Sequence, residues 1–179
     1  MPKPPLKIRR LAQLVRLLAL LGLAGALLIP LTLWSSEDWL SSVAREHWGL
    51  GRVGFHTDTQ ARIWGFVSST PAVGCAIWSL WQLFALFGCY ARGEVFSLPA
   101  VRHLQGMARG LLSLALLNPL CQTGAVLALT WANPPGQRQL VLGWSTQDFL
   151  ALLSGLVLLA VARVMHEAAR MARENAEFV

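Results

Sequence analysis

Apolar and charged positions separate along this chain into blocks. Four apolar stretches, residues 14–33, 63–90, 111–131 and 149–164, alternate with segments that hold nearly all the ionisable side chains. At about 1.5 Å of rise per residue, each stretch crosses or nearly crosses a hydrocarbon core of about 30 Å as a helix. The pattern predicts an all-α integral membrane protein: a four-helix transmembrane bundle with short amphipathic interfacial helices, residues 1–179 forming one domain.

Local signals fill in the connections. Ser35 with Asp38 has the spacing of a helix start, and Trp39, Leu40, Val43 and His47 then share one face, which predicts a short helix lying on the bilayer surface. Gly49, Gly51 and Gly54 break it, and Thr57 with Gln60 reads as a capping box launching the second span. After that span, Gly93 reads as a helix stop, and Ser97 as a cap with Pro99 in the first turn of the next helix. Val101, Leu104, Ala108 and Leu111 keep helical spacing, predicting an interfacial helix that runs into the third span. Ser145 and Asp148 form a second capping-box pair, and nothing interrupts the pattern from there to about Glu177. Such a helix is about 45 Å long, so several turns project beyond the bilayer.

Composition agrees with membrane residence. A hydrophobic fraction of 55% with 13% charged residues is too apolar for an ordinary soluble surface. The net charge of +6 sits beside the apolar spans instead of forming a basic stripe, which points to anionic lipid and away from direct nucleic-acid binding. Placement of the cations sets the expected orientation. Lys3, Lys7, Arg9, Arg10, Arg16, Arg92, Arg102, Arg109, Arg163, Arg170 and Arg173 fall on one side; Arg45, Arg52, Arg62 and Arg138 fall on the other. The positive-inside rule then predicts that both termini are cytoplasmic. Trp34, Trp39, Trp48, Trp64, Trp131 and Trp144 cluster at the opposite ends of the spans, as an aromatic belt does, while Trp78 and Trp81 lie inside the second span. Lys7, Arg9 and Arg10 before an apolar run, with Ala24-Gly25-Ala26 within it, resemble a signal peptide, but the run continues through Leu31 and favours a retained anchor.

Candidate chemistry is sparse. His47, His56 and Asp58 share the first loop, but a zinc site needs three or four converging ligands, and solvated polar residues are the simpler reading. Cys75, Cys89 and Cys121 fall within apolar spans without a C-x-x-C pair, so they read as small buried hydrophobes. No Gly-rich phosphate loop, nucleophile elbow or paired-carboxylate pattern is present, so neither an enzyme nor a cofactor site is expected. The polar side chains at depth are Gln82, Asn118, Gln122 and Thr123. With no charge near the middle of a span, a proton-driven pump is disfavoured. Pro119 removes one helical hydrogen bond, and Asn118 and Gln122 read as structural groups that compensate for it.

The charged final helix pairs Arg163 with Glu167, Arg170 with Glu174 and Arg173 with Glu177 at i,i+4 spacing, and its other face carries Met165, Ala168, Ala169, Ala172 and Ala176. The expected interaction surface therefore combines Gly93, Phe96 and Ser97 with Met165, Ala169 and Ala172.

The turn Gly93-Glu94-Val95-Phe96-Ser97, together with the closing segment from Glu167 to Val179, resembles the bacterial domain-of-unknown-function family 2975, the likeness running from Ala91 onward. Ala100 and Ala168 depart from the polar residue and the glycine usual there. The resemblance implies a small four-span inner-membrane protein without an established activity, in a family often encoded beside a small helix-turn-helix regulator. It supplies no catalytic residues. Two functions are therefore expected: a non-enzymatic membrane protein that senses envelope state or anchors a cytoplasmic regulator, self-associating or not; or a solute or lipid transporter component lined by Gln82, Asn118, Gln122 and Thr123. A cavity joining those four side chains distinguishes the second from the first.

Overall fold

The computed structural model describes residues 6–95 and 97–177, with the side chains of residues 6, 7, 52, 169 and 172–177 outside that description. The described chain forms helices α1 (Leu6–Ser35), α2 (Glu37–Glu46), α3 (Thr59–Ala91), α4 (Leu98–Thr130) and α5 (Thr146–Glu177), with a 3-10 turn at Leu50–Arg52. Helices α1, α3, α4 and α5 are each long and apolar enough to cross a bilayer, and the protein is a multi-pass membrane protein. The helix expected to run into the third span does so: α4 is unbroken from Leu98 to Thr130, with Gly106, Gly110 and Pro119 accommodated inside it.

The long helices pack in chain order, α1 on α3, α3 on α4 and α4 on α5, each antiparallel to its neighbour. Small residues let the backbones approach, as membrane helix interfaces require. A Cβ at Gly65 would collide with the Trp34 ring and one at Gly110 with the Ser79 hydroxyl, while one at Gly106 would lie 2.8 Å from Gln82 and one at Gly155 2.9 Å from Leu112. The outward faces are apolar: Leu17, Leu21 and Leu28 of α1 and Leu153, Val157 and Val164 of α5 are all exposed, as lipid-facing positions are.

These contacts fix the relative levels of the helices. The Arg16 guanidinium stacks on Phe84 at 4.3 Å, Gln82 covers Gly106, and Ala162 joins Leu104 and Leu86 in one cluster. Arg16, Arg102 and Arg163 therefore fall within about one helical turn of the same level, a cation layer at the end of the bundle that carries the termini. Arg109 lies about two turns deeper at an exposed position, where its long stem can carry the charge back to this layer.

The opposite, loop end departs most from the sequence expectations. Helix α1 continues through Ser35, and it is Ser36 that caps α2, accepting a hydrogen bond from the Trp39 amide at 3.4 Å. The apolar face of helix α2 is covered by the protein: Leu40 and Ala44 are fully buried in a cluster that also holds Trp34, Leu50, Val126 and Leu129, while Trp39 is exposed. Trp34 leaves the aromatic belt for this core, 6% exposed, paired with Trp48 and donating to the Ser69 hydroxyl at 3.2 Å. The proposed Thr57–Gln60 capping box is absent; Asp58 occupies the cap position of α3 and the Thr57 hydroxyl donates to Glu37 at 2.8 Å. Arg62 donates to the Ser35 carbonyl, closing the carboxyl end of α1, where a cation complements the helix dipole.

Candidate functional site

Helix α5 starts far below the end of α4. Ser145 and Asp148 form the expected capping box: the Asp148 amide donates to the Ser145 hydroxyl at 3.2 Å, and the Asp148 carboxylate accepts the Ser145 amide at 2.9 Å and its hydroxyl at 2.7 Å. The second carboxylate oxygen accepts from the Asn118 amide at 2.8 Å. Asp148 is 3% exposed, so this hydrogen bond ties the first turn of α5 to the middle of α4. Asn118 lies 12 residues, about 18 Å, before the end of α4. The chain between the two helices therefore runs back along α4, its path marked by the Gln139 amide on the Thr130 hydroxyl and by the Thr123 hydroxyl, 2.7 Å from the Val141 carbonyl and 2.8 Å from that of Pro119.

Starting α5 so low opens a cavity of about 630 Å³. Its floor is α3 and α4, with Ser69, Val73, Asn118 and Gln122. Ile29 and Leu33 of α1 form one wall, and Ser145, Thr146 and Gln147 the wall opposite. Val43, His47 and Trp48 roof it. A smaller groove of about 470 Å³ on the other side of the α3–α4 pair is flanked by the exposed Trp64 and Trp131.

The four polar side chains singled out at depth are thus divided. Asn118 and Gln122 line the cavity. Thr123 is engaged with the returning chain, and the Gln82 Oε1, on a side chain 8% exposed, accepts from Nδ1 of the His103 ring at 2.7 Å near the cation layer. Of the two structural groups expected around Pro119, Asn118 bonds a neighbouring helix through Asp148, and Gln122 makes no hydrogen bond among the described residues. The Gln82–His103 pair was hidden in the sequence, since the side chains are 21 positions apart on different helices; His103 at the i−3 position from Gly106 was the available signal.

At the termini end, the 93–97 turn forms as expected. Gly93 has φ +84°, its amide donates to the Tyr90 carbonyl and that of Glu94 to Cys89, a Schellman closure that only a left-handed residue completes readily. Ser97 caps α4 through the Ala100 amide at 3.3 Å. Arg92 and Glu94 form an ion pair at 3.1 Å, which holds the Arg92 guanidinium above its usual pKa. Met165 packs into the cluster of Leu86, Leu104 and Ala162, so it belongs to the protein's own core and not to a free face. Glu167 pairs with Arg170 at 2.7 Å, three residues on, instead of with Arg163. Phe96 lies outside the described residues, as do the side chains of Ala169 and Ala172. Gly155 packs on Ala108 and Leu112, which sets Leu98 level with about Glu167, so the last ten residues of α5 overhang α4 by about 15 Å.

Among the described residues, no three His, Cys, Asp or Glu side chains converge as metal ligands would. No curated protein and no solved structure matches the chain. A family model described as a protein of unknown function, DUF2975, matches residues 51–179, which adds α3 to the expected region and leaves α1 and α2 outside it. With the greater part of its length matched, from the first loop through the overhanging end of α5, the chain belongs to the DUF2975 family.

Proposed function

We propose that this protein is a non-enzymatic inner-membrane anchor, with both termini in the cytoplasm, that holds a cytoplasmic protein partner at its termini end. The observation that carries the reading is the overhang of α5: about three turns of helix continue past the level of Leu98, where the described α4 begins. The rigid closure at Gly93 and the cap at Ser97 sit beside the root of that helix, so the turn and the overhang form one surface. The cation layer of Arg16, Arg102 and Arg163 supports the orientation, because it sets the overhang on the side that the positive-inside rule assigns to the cytoplasm. A helix-turn-helix regulator is the partner class that the family resemblance suggests.

The transport alternative draws on the cavity alone. Of the four polar side chains it relies on, Asn118 and Gln122 line that cavity, while Gln82 is paired with His103 at the other end of the bundle.

Truncation after Glu167 and the substitution Ala172→Glu test the proposal through membrane insertion, self-association and binding of the helix-turn-helix protein. The expected outcome is normal insertion with lost binding in both variants. Unchanged binding refutes the surface; lost self-association alone assigns the overhang to a second copy of the chain. Cysteines introduced at Thr57 and Gln137 are expected to react with an impermeant thiol reagent in intact cells and one at Glu174 to stay unlabelled; labelling at Glu174 alone reverses the orientation.

A further inference from the structure

The cavity at the loop end is independent of the docking surface, and its lining carries a ligand class. At about 630 Å³ it falls in the range of roughly 300–1,000 Å³ of small-molecule sites. Asn118 and Gln122 stand 14 and 18 residues from Leu104, so the cavity lies about 21–27 Å from the cation layer, near the far edge of a 30 Å hydrocarbon core. That is the depth at which a lipid changes from alkyl chain to polar head.

The lining changes in the same way. Ile29, Leu33 and Val73 offer an apolar wall, whereas Asn118, Gln122 and Gln147 offer neutral hydrogen-bonding groups. The half-buried Gln122 amide makes no hydrogen bond within the described protein, and Asn118 spends one N–H on Asp148 and keeps its carbonyl oxygen free. An amide without a partner at the edge of hydrocarbon is costly, so these groups call for an outside partner. Among the described residues no Lys or Arg lines the cavity, His47 in the roof being its ionisable lining group, and both oxygens of the adjacent Asp148 carboxylate are taken by Asn118 and Ser145. An anionic head therefore finds no permanent cation among these residues. Among the described residues α1 packs on α3 and α5 on α4, with no extensive interface between α1 and α5, which leaves the gap between the two walls without a closing helix interface.

We propose that this cavity binds a single uncharged amphiphile, its alkyl chain against Ile29, Leu33 and Val73 and an ester or hydroxyl head hydrogen-bonded to Asn118 and Gln122. Such a head occurs both in bilayer lipids and in soluble fatty alcohols.

The full chain in nanodiscs of phosphatidylethanolamine and phosphatidylglycerol tests it by photo-crosslinking. Three probes are compared: a photoactivatable diacylglycerol in the bilayer, a photoactivatable phosphatidylglycerol in the bilayer, and a photoactivatable fatty alcohol added from water. The expected result is labelling by an uncharged probe concentrated in residues 29–33, 69–73 and 118–122, over the lipid-facing Leu153 and Val157. Diacylglycerol labelling alone assigns the ligand to the bilayer, and alcohol labelling alone to the aqueous phase. Gln122→Leu is expected to reduce cavity labelling about fivefold, the worth of one hydrogen bond, and Val73→Trp to abolish it. Folding of both variants is checked by size exclusion; should Val73→Trp fail to fold, the labelling map and Gln122→Leu decide. Equal labelling at Leu153 and in the cavity, or equal labelling by the anionic probe, overturns the proposal.

Discussion

The two ends of this bundle are built from the same helices by different means. At the termini end, α3, α4 and α5 close on Leu86, Cys89, Ala100, Leu104 and Ala162, with the connection between α3 and α4 reduced to a Schellman turn and a serine cap. At the loop end, α5 is missing from the top of the bundle and α2 takes its place over Val126 and Leu129, while polar side chains tie the loops together: Asn133 donates to the Gly54 carbonyl at 2.6 Å and the His56 amide to the Leu129 carbonyl at 2.8 Å. One end is short-range chemistry and close packing; the other is long-range hydrogen bonding around a cavity. The difference shows how a membrane protein of this size obtains a cavity without an extra helix, by starting its last helix about 18 Å too low.

The largest expected effect tests the packing of the loop end. Gly65→Leu forces a side chain into the volume of the Trp34 ring, which is itself held by Ser69 and Trp48. Overpacking of this kind costs about 3 kcal/mol, and thermal unfolding in detergent followed by tryptophan fluorescence is expected to shift sharply downward. A melting temperature equal to wild type shows that Trp34 moves freely and that the loop end is not a fixed core.

Asp148→Ala is the next largest. It removes the cap of α5 and orphans the Asn118 amide, together about 2 kcal/mol. A double-mutant cycle with Asn118→Ala isolates the interhelical bond, expected near the roughly 0.6 kcal/mol average for such bonds in membranes. Zero coupling places the start of α5 elsewhere than beside Asn118.

Gly93→Ala affects the other end and least. An alanine at φ +84° costs about 1 kcal/mol, confined to the α3–α4 turn. Hydrogen exchange is expected to quicken at Glu94 and leave Asn133 unchanged; quickening at both sites shows that the two ends are coupled and weakens the contrast drawn between them.

Helix existence was legible because its causes are local. Apolar runs, the Gly93 stop, the Ser97 cap and the Ser145–Asp148 box each involve residues a few positions apart, and each appears in the structure where the pattern set it. Trp34 was misread because an indole at the end of a span suits a headgroup as well as a core, and only Gly65, 31 positions away, makes the room that decides between them. Helix α2 forms where the pattern set it, and its amphipathic face, which fits lipid or protein equally, is buried in the protein at Leu40 and Ala44. Of the residues expected to form an interaction surface, Gly93 and Ser97 take the local conformations that the sequence set, and Met165 packs on the protein's own core of Leu86, Leu104 and Ala162.

By itself, then, the sequence determined four spans, the caps of the last two and the asymmetric distribution of cations, since hydrophobic length, turn chemistry and charge act over a few residues. Only the tertiary structure decided that α5 begins beside Asn118, that α2 roofs the space this leaves, and that Gln122 faces that space without a partner. Those outcomes depend on which helix faces which and at what level, and that register is set by close backbone contacts at Gly65, Gly106, Gly110 and Gly155 between residues far apart in the chain.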